Sequence, residues 1–486
     1  MAERGGFRKN SGRKKKNTDE LKVSKQVYLN SSVIQRIDSL KIPQCHSFSA
    51  KASYLIDRGL DNLKKDDEVV KFADLFAGMG GIRIGFEKAL QSMNMVGKAV
   101  FVSEIKKSAI SVYKDNFGDE KINGDITKID TDDIPDLDYV LAGFPCQAFS
   151  YAGKRLGFDD TRGTLFFDVA RVIKAKRPKG FILENVEGLI THDNGRTFNT
   201  IVTVLKKLGY YVNYAILNSA DFGLAQNRKR IYIIGNQKEE IKLNDFKSYS
   251  PVKLKDIIDT NCEPENDEFS NKLLDHYQLK DLEGKQIKDK RGGVNNIHSW
   301  DFELKGEVSS NQKKLLNCLL KQRRNKKWAT IWGIDWMDGM PLTIDMIRTF
   351  FDCDNLQEEL DDLVNKGYLR LEYPKKKTSK GRVYDDSKEM GYNIVTGKLS
   401  FKYSKILSLN ECTPTIVATD VSHLAVPVNG GLRQLTTREG LRLFGYPETY
   451  SLKSVTKNKA FDLLGNTVAV NVIEEVSKKL LNVTEK

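Results

Sequence analysis

The sequence predicts an α/β fold of the doubly wound type, with a second domain inserted late in the chain and a small helical unit ahead of it. Three observations lead there. From residue 70 to 237, short apolar runs alternate with amphipathic stretches, the rhythm of repeated strand–helix–strand units. That rhythm fades over 238–410, where Lys, Asp and Asn rise, and returns over 411–482. A chain of 486 residues is also too long for one ordinary domain.

Taken in order, residues 1–16 hold seven basic side chains and one acidic. That composition predicts a solvated basic arm over 1–23, able to touch phosphate. Residues 24–68 read as a separate small unit. Lys25-Gln26-Val27-Tyr28-Leu29 alternates as a short strand. Asn30, Ser31 and Ser32 offer helix caps ahead of Val33, Ile34, Ile37 and Leu40, which recur at helical spacing. Ser47 to Ser49 cap a second helix, with Ala52, Leu55, Ile56, Leu60 and Leu63 as its apolar stripe. So short a unit cannot cover both stripes alone. It needs either a second copy of itself or the main domain to dock on.

Over 69–237 strands are predicted at Lys71–Phe76, Ala99–Ser103, Tyr139–Ala142, Phe181–Glu184, Tyr211–Leu217 and Arg230–Gly235, all in one parallel sheet. Helices are predicted at Lys106–Phe117, Leu165–Ala175 and Thr197–Leu208. Such sheets hold ligands beyond the carboxyl ends of their strands. In 238–410, Pro341–Gly367 reads as helical and Tyr368–Val383 as a strand pair; Pro341–Tyr373 reads as a winged-helix-like unit. Trp300, Trp328, Trp332 and Trp336 all fall here, most of them in a small core, while His276 and His298 are expected at the surface. Residues 411–486 rejoin the first domain and end in a helix over Asn471–Leu481.

Composition narrows the function. Lys plus Arg is 78 against 65 for Asp plus Glu, a net charge of +13, which favours a polyanionic partner. Apolar residues make up 40%, enough for a real core and too many for wholesale disorder. No apolar run is long enough for a membrane span. The six cysteines form no close pairs, which excludes a disulfide framework or a zinc cluster and predicts a reduced, cytoplasmic setting.

Four features carry chemistry. Asp74-Leu75-Phe76-Ala77-Gly78-Met79-Gly80-Gly81 follows a strand and opens a helix, where glycines let backbone approach a ligand. Glu104 ends the next strand and suits the hydroxyls of a ribose. Together they point to a nucleoside-containing cofactor, though without the GxGxxG spacing of dinucleotide sites. Cys146 follows the strand Tyr139–Ala142 on a loop pinned by Pro145, a place for a nucleophile, although most free cysteines are small core residues. Glu184 closes a buried strand, which is costly unless the carboxylate is paired or functional.

The order of motifs adds what no single motif supplies. Asp74–Gly81, Glu104, Gly124-Asp125-Ile126, Phe144-Pro145-Cys146-Gln147, Glu184-Asn185-Val186 and Gln226-Asn227-Arg228-Lys229-Arg230 are followed, after the variable stretch, by Arg433-Gln434-Leu435-Thr436-Thr437-Arg438-Glu439 and Gly465-Asn466-Thr467-Val468. In this order they resemble the C5-cytosine DNA methyltransferases, over residues 71–237 and 411–482. Leu463 stands where that family usually has Gln.

The resemblance implies a Rossmann-like domain that takes S-adenosylmethionine, releases S-adenosylhomocysteine and needs no metal. Phe76, Gly78 and Gly80 would line the methionine and adenosine end. Glu104 would hold the ribose hydroxyls and Asp125 the adenine amino group, with Ile126, Leu165 and Asn466 completing the wall. Cys146 would add to C6 of a flipped-out cytosine, because C5 of the intact aromatic ring is a poor nucleophile. Glu184 would hold N3 and the exocyclic amine, and Arg228 and Arg230 would donate toward O2. Pro145, Gln147, Ser150 and Asn185 would contact substrate, with Gln147–Gly157 as a closing lid. Residues 238–410 take the place of the target recognition domain. Double-stranded DNA is the implied substrate and a cognate restriction endonuclease the implied functional partner, in the cytoplasm at the nucleoid. The tRNA-methylating branch carries a Cys-Phe-Thr tripeptide that this chain lacks. Residues 24–68 resemble a ribbon-helix-helix unit. That likeness implies a homodimer, with Gln26, Tyr28 and Asn30 facing bases, and control of the protein's own promoter. The alternative, a helical hairpin on the main domain, stands beside it.

Overall fold

The computed structural model describes residues 31–40, 47–63, 69–145, 165–379, 381–396 and 401–485. The basic arm, the expected strand with Gln26, Tyr28 and Asn30, and Cys146, Gln147, Ser150 and the rest of the expected lid lie outside the described residues.

The chain divides into two units, Met1–Glu68 and Val69–Lys486. In the first, helix α1 spans Ser31–Ser39 and α2 spans Phe48–Leu63, where the apolar spacing puts them. Ser47 Oγ accepts from Ala50 N at 3.2 Å, as a helix-opening serine does. Ile34, Leu40, Leu55 and Ile56 remain exposed within this unit.

The second unit is built on a six-stranded sheet. Its elements are β1 (Val69–Leu75), α3 (Gly81–Ser92), β2 (Val96–Ser103), α4 (Lys107–Phe117), β3 (Tyr139–Ala142), α5 (Leu165–Lys176), β4 (Gly180–Val186), α6 (Arg196–Lys207), β5 (Tyr211–Asn218) and β6 (Lys229–Asn236). The strand order is β2-β1-β3-β4-β6-β5. β2, β1, β3 and β4 pair in parallel, but β6 runs antiparallel to both β4 and β5. The expectation of an all-parallel sheet fails at this strand. The link 219–228 is shorter than the dozen or so residues a parallel crossover takes, so β5 and β6 close as neighbours. Every residue of β3 is buried, because helices cover both faces of the sheet. One core packs α5 and α6 under one face through residues such as Val169, Ile173 and Ile201. The other packs α3 and the last helix through Phe86, Val472 and Ile473.

The next stretch contributes α7 (Glu268–His276), α8 (Leu279–Leu282), β7 (Gln286–Ile287), β8 (Asn296–Ile297), α9 (Ser310–Gln322), α10 (Lys327–Trp332), α11 (Ile344–Arg348), α12 (Leu356–Asn365), β9 (Leu369–Glu372), β10 (Lys375–Thr378), β11 (Gly381–Tyr384), β12 (Gly391–Ile394) and β13 (Lys405–Ile406). The chain ends with β14 (Leu424–Val428), β15 (Gly431–Gln434), α13 (Thr437–Leu443), α14 (Lys457–Asn466) and α15 (Val470–Thr484). A five-stranded sheet, β15-β14-β13-β7-β8, joins strands from both sides of position 410, so the expected boundary there is no seam. Pro341–Gly367, expected to be helical, holds two helices, α11 and α12. Trp300, Trp328 and Trp332 sit with Leu316, Leu319 and Leu360 in a separate core, while Trp336 is 38% exposed. His298 is not at the surface: it is buried, stacks on Trp300 and has Nδ1 2.7 Å from Lys288 O.

Candidate active site

A cleft of about 590 Å³ opens beyond the carboxyl ends of β1 to β4, where a doubly wound sheet leaves room. Its first wall is the turn after β1. Phe76 and Gly78 both take φ near +54°, a conformation costly for Phe76, and both line the cleft. Gly80 departs from expectation. It is absent from the cleft wall and caps α3 at φ +75°, where a Cβ would lie 2.4 Å from the Phe117 ring. Its small size serves packing against α4.

Glu104 is held by three backbone donors. Gly78 N gives to one carboxylate oxygen at 2.8 Å, and Ile105 N and Lys106 N give to the other at 2.8 and 2.7 Å. This fixes a carboxylate at the cleft edge. Asp125 caps the short helix that begins at Ile126; Thr127 donates to it from Oγ1 and N, which holds its pKa below the ordinary carboxylate value. Leu165 opens α5 on the cleft, and Leu463, Gly465 and Asn466 close it from α14. Gly465 is obligatory: a Cβ there would lie 2.0 Å from Ala418 N. Asn466 Nδ2 donates to Asp462 O at 2.8 Å.

The second wall is the end of β4. Glu184 is 8% exposed, and burial pushes its pKa up against the pull of Arg230 and Arg228. Arg230 Nε lies 3.4 Å from Glu184 Oε1. The reversal of β6 makes this contact possible. Its first residues, which a parallel strand would leave at the far edge, lie opposite the end of β4, with Val186 paired to Arg230. Asn185 Nδ2 donates to Phe144 O at 2.8 Å and so ties the loop carrying Pro145 to β4. Asn185 also lines the cleft, so this positioning contact stands beside the expected substrate contact.

Arg228 lines the cleft as well, but it has other partners. It is buried, with Nη1 donating to Ile416 O at 2.9 Å and Nη2 to Thr467 O at 2.7 Å. Its guanidinium lies over the Phe444 ring, and burial draws its pKa down to about 10. Nη1 is therefore spent on the Ile416 carbonyl and Nη2 on the segment carrying Asn466, leaving Nε as the donor with no hydrogen bond. Sequence reasoning missed these carbonyl partners, because a backbone acceptor leaves no mark on residue identity.

It also missed a buried network behind the first turn. Asp74 accepts from Tyr113 Oη at 3.2 Å, its other oxygen has no hydrogen bond, and burial pushes its pKa up to about 7. Arg83 donates to Tyr113 Oη at 2.9 Å and pairs with Glu87 and Glu120. Lys106, paired with Asp462, joins the cleft wall unannounced by any motif.

The residues present suit a nucleoside cofactor. Apolar faces of Phe76, Ile126 and Leu165 can hold a flat base, and fixed carboxylates at Glu104 and Asp125 can accept from hydroxyls and an amino group.

A family model described as C-5 cytosine-specific DNA methylase matches residues 70–482. The chain is 58% identical over 420 residues to Type II methyltransferase M.NlaIV of Neisseria lactamica, covering 85% of this chain and 99% of that one. It is 56% identical over 420 residues to Type II methyltransferase M.NgoBV of Neisseria gonorrhoeae, with the same coverage. Type II methyltransferase M.BanI of Aneurinibacillus aneurinilyticus is 41% identical over 446 residues, 86% of this chain and 97% of that one.

Proposed function

The chain belongs to the C-5 cytosine-specific DNA methylase family, and we propose that it modifies one cytosine within a specific duplex sequence through a covalent Cys146 intermediate, as the protective half of a restriction–modification system. S-adenosylmethionine, the cofactor of this chemistry, supplies an electrophilic methyl group when bound. Phe76, Glu104, Asp125, Leu165 and Asn466 are the residues that would hold it. The observation that carries the reading is one cleft lined both by this cofactor wall and by Glu184 with Arg230.

The roles follow from charge. The thiolate of Cys146 attacks C6, and its electron pair makes C5 nucleophilic. Glu184, its pKa raised by burial, carries a proton for N3 as negative charge builds on the ring. Arg230 steadies that carboxylate and donates toward O2. Arg228 positions the Asn466 segment. After methyl transfer, passage of the C5 proton to solvent water and departure of the Cys146 thiolate with the C6–S electron pair restore the aromatic ring. Gln147 and Ser150 are assigned to the space left by the flipped base, and the insert 238–410 to target recognition.

Bisulfite sequencing of DNA from cells expressing the protein tests the reading. Protected cytosines confined to one short sequence are expected; uniform conversion would contradict it. For the first unit, we propose a second copy as the cover for exposed Ile34, Leu40, Leu55 and Ile56, and with it the promoter-binding role. Sedimentation should then show a dimer that dissociates when residues 1–68 are removed. No helix among the described residues is long and apolar enough to cross a membrane, and work at the cytoplasmic nucleoid fits the proposed substrate.

A further inference from the structure

Within the insert, a compact module has its own core, formed by α9, α11, α12 and the strands that follow. β12 pairs antiparallel with β9, and Leu342 adds a single antiparallel bridge to Tyr392 in β12. Between β9 and β12 the chain leaves as the β10–β11 hairpin. Two helices, α11 and α12, thus precede the β10–β11 hairpin, the element order of a helix-turn-helix unit with a wing. In such modules the second helix normally enters the major groove.

Here the second helix is unsuited to that task. α12 carries Glu358, Glu359, Asp361 and Asp362 and no basic residue. Its inward face is spent on Leu356, Leu360 and Leu363. Four carboxylates on a ten-residue helix repel phosphate. The hairpin is the opposite. Lys375 to Tyr384 contains five basic residues and no acidic one. Its register pairs Lys375 with Tyr384 and Lys377 with Arg382. Directly paired residues share a face, so Lys375, Lys377, Arg382 and Tyr384 lie together on one side. On the other side, Lys376 is neutralised by Asp385 at 3.0 Å. Among the described residues, Lys375, Lys377 and Arg382 make no ion pair. Lys375 Nζ sits 4.6 Å from the Tyr384 ring centre, and Tyr384 is 52% exposed. Arg382 braces the hairpin by donating to Asp335 O and Trp336 O at 3.2 and 2.7 Å, beside the exposed Trp336 ring.

We propose that this module engages duplex DNA through the Lys375–Lys377–Arg382–Tyr384 face of its hairpin, with α12 turned away from the phosphates. A two-stranded ribbon fits the major groove, which makes the hairpin the groove-reaching element. The proposal rests on the DNA methyltransferase reading and adds to it which element of the insert meets the substrate.

The test uses the full chain and a short duplex of random sequence, with affinity measured across a salt series and S-adenosylhomocysteine binding as the check on folding. A variant carrying Lys375→Gln, Lys377→Gln and Arg382→Gln should bind at least tenfold more weakly at low salt. Its log–log salt slope should be shallower by about 3, near 0.9 for each lost phosphate contact. Lys377→Glu alone should weaken binding in the same direction. Glu358→Gln with Glu359→Gln should bind as well as the parent or slightly better. Unchanged affinity and slope in the triple variant, or weakened binding in the α12 variant, overturns the hairpin assignment while the methyltransferase reading stands. A parent that binds no DNA at any salt overturns both.

Discussion

Glu184 is a carboxylate that the fold keeps out of water and beside an arginine. Burial raises its pKa and Arg230 restrains the rise, so the carboxyl holds a proton more readily than a free glutamate does. Glu184→Gln should lower the methylation rate about 100-fold or more while S-adenosylhomocysteine binding stays near that of the parent. Equal losses in both would make the residue structural. Asp74 gives a second test at this scale. Its folded pKa of about 7 lies above its ordinary value of 3.8, so between those values the native state keeps a proton that the unfolded chain has released. Its contribution to stability is therefore present at low pH and lost as pH rises through 7. Thermal unfolding followed from pH 5 to 8 should show that decline, and Asp74→Asn should flatten it. The chemical residues were legible because motifs encode side chains: Glu104, Asp125, Glu184 and Arg230 all face the cleft. Gly80 packs on a ring outside the cleft wall, and the backbone carbonyls that Asn185 and Arg228 also hold are partners no motif names.

At the scale of elements, six strands and three helices of the first domain fall within a few residues of their predicted places, since apolar runs and capping residues mark them. Direction was not legible. An apolar run looks the same in a parallel or antiparallel strand, and only the short link 219–228 distinguishes β6. That reversal brings Arg230 to Glu184. The close of α14 on the cleft depends equally on backbone contact. Gly465→Ala would force a Cβ against the Ala418 backbone, and should weaken S-adenosylhomocysteine binding at least tenfold and lower stability by about 1–3 kcal/mol. Unaltered binding by calorimetry would show that the contact relaxes without consequence.

The whole molecule combines a cofactor-binding sheet, an insert with a core of its own and a small N-terminal unit. The rise in Lys and Asn marked the insert in the sequence, but not the five-stranded sheet that joins it to residues beyond 410, because two-residue strands leave no periodicity to read. Removing residues 1–68 should leave methylation of DNA intact, since the cleft lies entirely in Val69–Lys486. Loss of methylation in that truncated chain would assign the first unit a part in the reaction itself. The central claim concerns a bond between sulfur and carbon, and it is tested most directly by trapping. Incubation with duplex DNA containing 5-fluorocytosine and S-adenosylmethionine, followed by digestion and mass spectrometry, should yield one cross-linked peptide joined through Cys146. Methylation of ordinary DNA by the same preparation with no adduct at Cys146 would contradict the account.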